Sequence, residues 1–246
     1  MSVKRLVLLG VVAYGVFLLA RFPAAAAVSW FTPDSVQVSQ PSGTIWSGEA
    51  SLVRADDLSL GATTWSFAPL SLVKGRVGVN LSTTIDGSQL EATVARGLGN
   101  RVFLSDLSGV VPLQRLPGLM DPNLYAGTVG LDITSLTLED GWPVDAEGTV
   151  DIVSLSAMQP SRREVGSYEV SFDGTTTEPL IAAITDVDGL LAVNGSISFS
   201  EGRKYLLDVA VTPRPGTPRE LVNVLELLGE ASPDGSRRLV LEGTAP

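Results

Sequence analysis

The feature that most constrains the fold is a repeated unit, in which a short run of alternating apolar and polar residues is followed by a turn and another such run, from residue 28 onward. A period of two puts successive side chains on opposite faces of an extended strand, so each run can cover a core on one side and meet water on the other. In 71–81, Val77, Val79 and Leu81 share a face; Asp86-Gly87 then turns the chain, and 90–94 returns. Asp-Gly marks a hairpin because both central residues of the tight turn need positive φ. The unit recurs: 128–138 leads to Asp140-Gly141 and 147–155, 168–172 leads to Asp173-Gly174, and 180–184 leads to Asp188-Gly189. Finally 191–199 leads to Glu201-Gly202 and 205–211. Strands this regular predict a mainly β fold, a long curved antiparallel meander built as an open sheet or open barrel with one face buried.

Two segments depart from this pattern. Over 217–229, Thr217 suits an N-cap, Pro218 the first helical position, Glu220 the capping box and Gly229 the end. Leu221, Val222, Leu225 and Leu228 then share one face, which predicts one short C-terminal helix lying as a lid over an open end or edge of the sheet. A weaker helical turn is expected over 113–120, interrupted by Pro117-Gly118.

The N-terminal block is different in kind. Lys4-Arg5 precedes fifteen uncharged residues, 6–20; Arg21-Phe22-Pro23 interrupts, and 24–28 is apolar again. A helix over 6–20 rises about 22 Å, short of the ~30 Å hydrocarbon core. Continued to Phe22, with Lys4, Arg5 and Arg21 reaching the head groups, it approaches a spanning length. More positive charge before the block than after it keeps the N-terminus cytoplasmic and exports the rest. The expected layout is a stub and transmembrane helix over 1–23, a linker over 24–40 and a β domain over 41–246 beyond the inner membrane. The small residues 24–27 fit a cleavable signal peptide equally well, and both readings export the domain.

Composition removes most chemistry. The chain has no Cys and no His, which excludes thiolate nucleophiles, Cys or His metal sites and the Ser–His–Asp triad. Asp56-Asp57, Glu139-Asp140 and Asp186/Asp188 are acidic pairs beside turns, and none matches a calcium-binding loop. Gly97-Leu98-Gly99-Asn100 is not followed by the strand-to-helix switch of a phosphate loop. The expectation is a protein that is not an enzyme and takes no cofactor or metal. A net charge of −10 repels phosphate backbones, so no nucleic-acid partner is expected.

Two segments carry a recognisable order: Pro41-Ser42-Gly43-Thr44-Ile45-Trp46-Ser47-Gly48-Glu49-Ala50, and Trp65-Ser66-Phe67-Ala68-Pro69-Leu70-Ser71-Leu72-Val73-Lys74-Gly75-Arg76. Read as residues alone, Trp46 and Trp65 are core aromatics on neighbouring strands, with Gly43 and Gly48 where strands approach closely. Their layout resembles the type II secretion system protein N family, and later segments follow in the same order: Leu104 to Gly109, Leu136 to Pro143, Val165 to Tyr168, Leu191 to Gly195, Leu225 to Gly229 and Pro233 to Arg237. The resemblance implies a single-pass inner-membrane protein with a periplasmic domain, an accessory part of the machinery that moves folded proteins across the outer membrane. It implies no catalytic residues. It makes Gly43, Ile45, Trp46, Gly48, Trp65, Pro69 and Gly75 a candidate structural or interaction motif, with other components of the secretion system as partners. The meander is also similar to the curved sheets of AsmA-like envelope proteins. The alternative function is a periplasmic module that binds or transfers a lipid or hydrophobic ligand in a β-groove, because alternation alone does not distinguish a filled core from a groove.

Overall fold

Alternation and tight turns do dictate the architecture. The structure, a computed structural model, describes residues 3–31, 36–55, 58–97, 99–116, 123–158, 163–175, 178–226, 232–233 and 235–244. Helices α1 (Val3–Ala20) and α2 (Ala24–Phe31) come first. Strands β1 (Val36–Ser39), β2 (Ser42–Gly43), β3 (Ser47–Ala50), β4 (Leu52–Ala55), β5 (Leu58–Leu60) and β6 (Thr63–Phe67) lead to the one-turn helix α3 (Leu70–Val73). Then come β7 (Val77–Ile85), β8 (Ser88–Arg96), β9 (Arg101–Pro112), β10 (Tyr125–Glu139), β11 (Trp142–Ala157), β12 (Arg163–Asp173), β13 (Leu180–Gly189), β14 (Leu191–Ser200) and β15 (Lys204–Pro213). Helix α4 (Arg219–Glu226) and β16 (Arg237–Thr244) end the fold.

Strands β1, β4 and β5 form a small sheet, and the other thirteen form one antiparallel sheet in the order β16 to β6 without a break, then β3 and β2. The sheet does not close into a barrel: β2 and β16 are its two edges. Asp86-Gly87 and Asp140-Gly141 are two-residue turns with both φ values positive, as their sequences predict.

The curvature can be argued from one contact. Trp142 of β11 meets Phe199 of β14 edge-on, with ring centroids 5.6 Å apart, and its indole N–H donates to the Ser200 carbonyl at 3.1 Å. In a flat sheet, three strand steps would separate β11 and β14 by about 14 Å. The sheet therefore curls here, and Arg203 in the β14–β15 turn donates to the Asp140 carbonyl in the β10–β11 turn at 2.8 Å. The face inside the curl is apolar. Register places Leu131, Val150, Val170, Ile184, Val209 and Leu239 in one cross-strand row. Leu113, Val129, Leu155, Val165 and Tyr168 form one buried cluster, and Val209, Val211 and Leu225 a second.

Several expectations change. Helix α1 stops at Ala20, where the Arg21 and Phe22 amides donate to Phe17 and Leu19, so it does not run on to Phe22. Among the described residues no helix is long and apolar enough to cross a membrane. Residues read as a linker hold α2 and β1. Leu70 to Val73, expected to lead into a strand, form a helical turn. Asp173-Gly174 does not close a tight hairpin, since β13 begins only at Leu180; Asp188-Gly189 belongs to β13, and the reversal falls at Leu190. The short C-terminal helix spans Arg219–Glu226, with Gly229 outside the described residues. Its first carbonyl acceptor is Pro218, and the Thr217 hydroxyl turns away to the Leu190 carbonyl at 2.6 Å, so the helix is pinned to the β13–β14 turn rather than capped by Thr217. The expected turn over 113–120 is a 3₁₀ turn at Leu113–Arg115; Pro117-Gly118 and Asp56-Asp57 lie outside the described residues.

Candidate interaction surface at the N-terminal edge of the sheet

Strand β2 carries only two residues, because Gly43 at φ +87° bends the chain back immediately. A side chain there would press on the Ser47 carbonyl at 2.5 Å. The turn that follows is closed by Thr44: its amide donates to the Ser47 carbonyl at 2.8 Å, and its hydroxyl accepts the Trp46 and Ser47 amides at 3.2 Å. On the neighbouring strand, Trp65 lies opposite Gly48, and its ring lies over that glycine; a Cβ on Gly48 would stand 2.5 Å from the ring and 2.3 Å from the Ser42 carbonyl. The Trp65 indole N–H then donates to the Thr44 carbonyl at 3.0 Å, tying the turn to β6.

The same turn holds the end of α1. The last carbonyls of a helix lack intrahelical partners. Trp46 supplies one, donating its indole N–H to the Leu19 carbonyl at 2.8 Å, and the Ile45 amide donates to the Phe22 carbonyl at 3.1 Å. Pro23 bridges to Thr44, and Ala24 at the start of α2 is buried. Trp46 in turn packs edge-on against Phe67, with centroids 4.9 Å apart, and its carbonyl accepts the Phe67 amide. Two residues later Pro69 precedes α3. Gly75, at φ +69°, donates to the Leu72 carbonyl at 2.9 Å and ends the turn. Gly43, Ile45, Trp46, Gly48 and Trp65 are thus brought into one joint, and Pro69 and Gly75 bracket the loop beside it. Sequence reading missed Leu19 and Phe22, because a carbonyl acceptor leaves no side-chain signal, and Phe67, whose ring partner Trp46 lies 21 positions away.

The two faces of this half of the sheet differ. Trp65, Leu81 and Ala92 form an apolar row, as do Phe67, Val79, Val94, Leu104 and Leu136. On the other face, Asn80 donates to Ser66 at 3.4 Å and accepts from Thr93 at 3.0 Å, and Gln89 bridges Ser82 and Glu91. A cleft of about 690 Å³ on that face is lined by Ser47, Glu49, Ser66, Asn80, Ser82 and Glu91. The acidic pairs have structural partners. Asp186 accepts the Val193 amide at 2.8 Å and pairs with Arg214, Asp188 accepts the Ser167 amide at 3.0 Å, and Glu139 pairs with Arg101 at 2.9 Å.

The family model for the type II secretion system, protein N, matches residues 34–240. The chain belongs to that family. It is also 27% identical over 238 residues to the type II secretion system protein N of Aeromonas hydrophila, covering 94% of this chain and 93% of the relative. No solved structure gives a significant match. Membership makes this chain a component of type II secretion.

Proposed function

We propose that this chain is an accessory component at the inner membrane, with its N-terminus cytoplasmic and its sheet in the periplasm, and that it acts through protein–protein contacts in the export of folded proteins across the outer membrane. The observation that carries the reading is the asymmetry of the edges. Beside β2, the turn over 44–46 holds the carbonyl end of α1 and the residues after it, while among the described residues β16 pairs only with β15. Val240 and Leu241 on β16 are about half exposed, at 50% and 49%. An open strand edge takes a partner strand through backbone hydrogen bonds. The ordinary reading of Arg237, Arg238 and Glu242 is that charge keeps such an edge from aggregating, and this is compatible with one cognate partner.

Retention of α1 fits its surroundings. Its large apolar side chains from Val7 to Leu19 are 49–65% exposed, so the rest of the chain does not cover them. Cleavage in 24–27 would separate the sheet from the carbonyls that Trp46 and Ile45 hold. The helix is short for a bilayer, and Arg5 and Arg21 at its ends can reach the head groups of a locally thinned one. The lipid-carrier alternative has less support. The apolar face of the C-terminal half carries two buried clusters that include Leu113 and Leu225, and the lining of the 690 Å³ cleft includes the polar side chains of Ser47, Glu49, Asn80 and Glu91.

The test is a deletion strain scored for secreted enzymes in the medium. Secretion should fall and recover with the wild-type gene. Alternate residues of β16 point their N–H groups outward, so proline at one parity across 238–242 spares the β15 pairing while blocking strand addition. That variant should fold and fail to restore secretion. Undiminished secretion in the deletion strain would refute the reading.

A further inference from the structure

The connection between β6 and β7 is built inside out. In α3, Ser71 faces inward and is buried against Gly78, where a Cβ would stand 2.4 Å from its hydroxyl. Its larger neighbours therefore point away from the protein: Leu70 is 79% exposed, Leu72 54%, Val73 86% and Val77, at the start of β7, 63%. A one-turn helix that buries serine and exposes leucine and valine gains nothing in water from that choice. Cations surround the patch. Lys74 ends α3, Arg76 stacks on Phe103 with its guanidinium carbon 3.3 Å from the ring centroid, and Arg96 pairs across from Val77. Among the described residues none of the three is in an ion pair, although the chain carries a net charge of −10.

The patch also has a fixed position. Ser47 pairs with Ser66, so the β2–β3 turn and the β6–β7 connection lie at the same end of the sheet. That is the end where Trp46 holds Leu19 of α1 and packs on Phe67. Arg21, just beyond α1, adds a further cation there.

We propose that this loop is a second membrane contact, with Leu70, Leu72, Val73 and Val77 seated in the interfacial layer of the membrane that holds α1, and Lys74, Arg76 and Arg96 against anionic lipid head groups. Exposed aliphatic side chains flanked by cations are what an anionic bilayer surface binds, through apolar burial and head-group attraction together. The contact compensates for a short helix: it fixes the tilt of the sheet relative to the bilayer, which a single 18-residue span would leave free to swivel. The proposal rests on the reading of α1 as the anchor.

The absence of native cysteine allows a direct test with single labels. The full chain carrying an environment-sensitive fluorophore at Val11→Cys, Val73→Cys or Gln89→Cys is reconstituted into phosphatidylethanolamine–phosphatidylglycerol vesicles with brominated acyl chains. Gln89 lies on β8 opposite Thr84, near the far end of the β7–β8 hairpin and about 24 Å from Val77, and serves as the aqueous control. The labels at Val11 and Val73 should both be blue-shifted and quenched, and the one at Gln89 neither. Lys74→Glu with Arg96→Glu, both exposed, should abolish the Val73 quenching and leave that at Val11, as should replacement of phosphatidylglycerol by phosphatidylcholine. A Val73 label that remains in water while Val11 is quenched overturns the proposal, keeps the anchor and leaves the patch to a protein partner. An unquenched Val11 overturns the anchor and, with it, this contact. Quenching at Val73 indifferent to both the charge reversal and the lipid exchange overturns the head-group recognition.

Discussion

Gly48 is the residue whose identity is most tightly set by its neighbours. Gly48→Ala puts a methyl group into the Trp65 ring and the Ser42 carbonyl, and overpacking of this kind costs about 1–3 kcal/mol, to be read as a lowered midpoint in urea unfolding. Trp46→Phe keeps the ring contact with Phe67 and removes the N–H that holds Leu19. Its expected cost is about 1 kcal/mol, localised at the joint, with faster amide exchange at Ile45 as the readout. Tyr168 sets a pH dependence. Burial first, and the Asp186 carboxylate second, raise its phenol above the ordinary tyrosine value, with Arg214 opposing. The folded state therefore favours the protonated form: that stabilisation is complete below about pH 10 and is lost as pH rises through the folded-state value. Tyr168→Phe should flatten this alkaline loss in unfolding titrations, whereas an unchanged profile would assign it to other groups. At this scale the sequence was informative about residue types. The Gly and Trp pattern showed where strands approach closely, but the partners of Trp46 and Ile45 are main-chain carbonyls, which no side chain announces.

Elements were legible where one rule governed them. The two Asp-Gly hairpins followed from φ sign alone. Asp188-Gly189 misled because Gly189 faces Gly166 within the ladder, so its positive φ serves a close strand approach rather than a turn. Helix α3 was hidden because Leu70, Leu72 and Val73 read as the start of the alternating run that begins in earnest at Val77. The cap of α4 was misread for a tertiary reason: the Leu190 carbonyl competes for the Thr217 hydroxyl. Helix α4 is anchored by Leu225, which is buried over Val209 and Val211. Leu225→Ala should cost about 2–5 kcal/mol in urea unfolding, since the lid leaves a cavity when truncated. A loss within a few tenths of a kcal/mol would mean that α4 is not part of the core.

At the scale of the molecule, alternation specifies strands and a buried face but not how far the sheet curls or where it stops. The curl depends on Trp142 crossing to Phe199, a pair 57 positions apart that no local period encodes. The edges follow from topology: β2 lies beside the turn that holds the end of α1, and among the described residues β16 pairs only with β15. Together they leave the sheet tied to the N-terminal segment at one end and, among the described residues, unpaired at the other. That arrangement is the one on which the proposed contact with a partner rests. The most direct measurement is site-specific photo-crosslinking in secreting cells from Val240 on the open edge. The account predicts an adduct between this chain and another component of the type II secretion system, lost when proline blocks the outward N–H groups of β16. Full secretion with no such adduct, from Val240 or its neighbours on that strand, would contradict it.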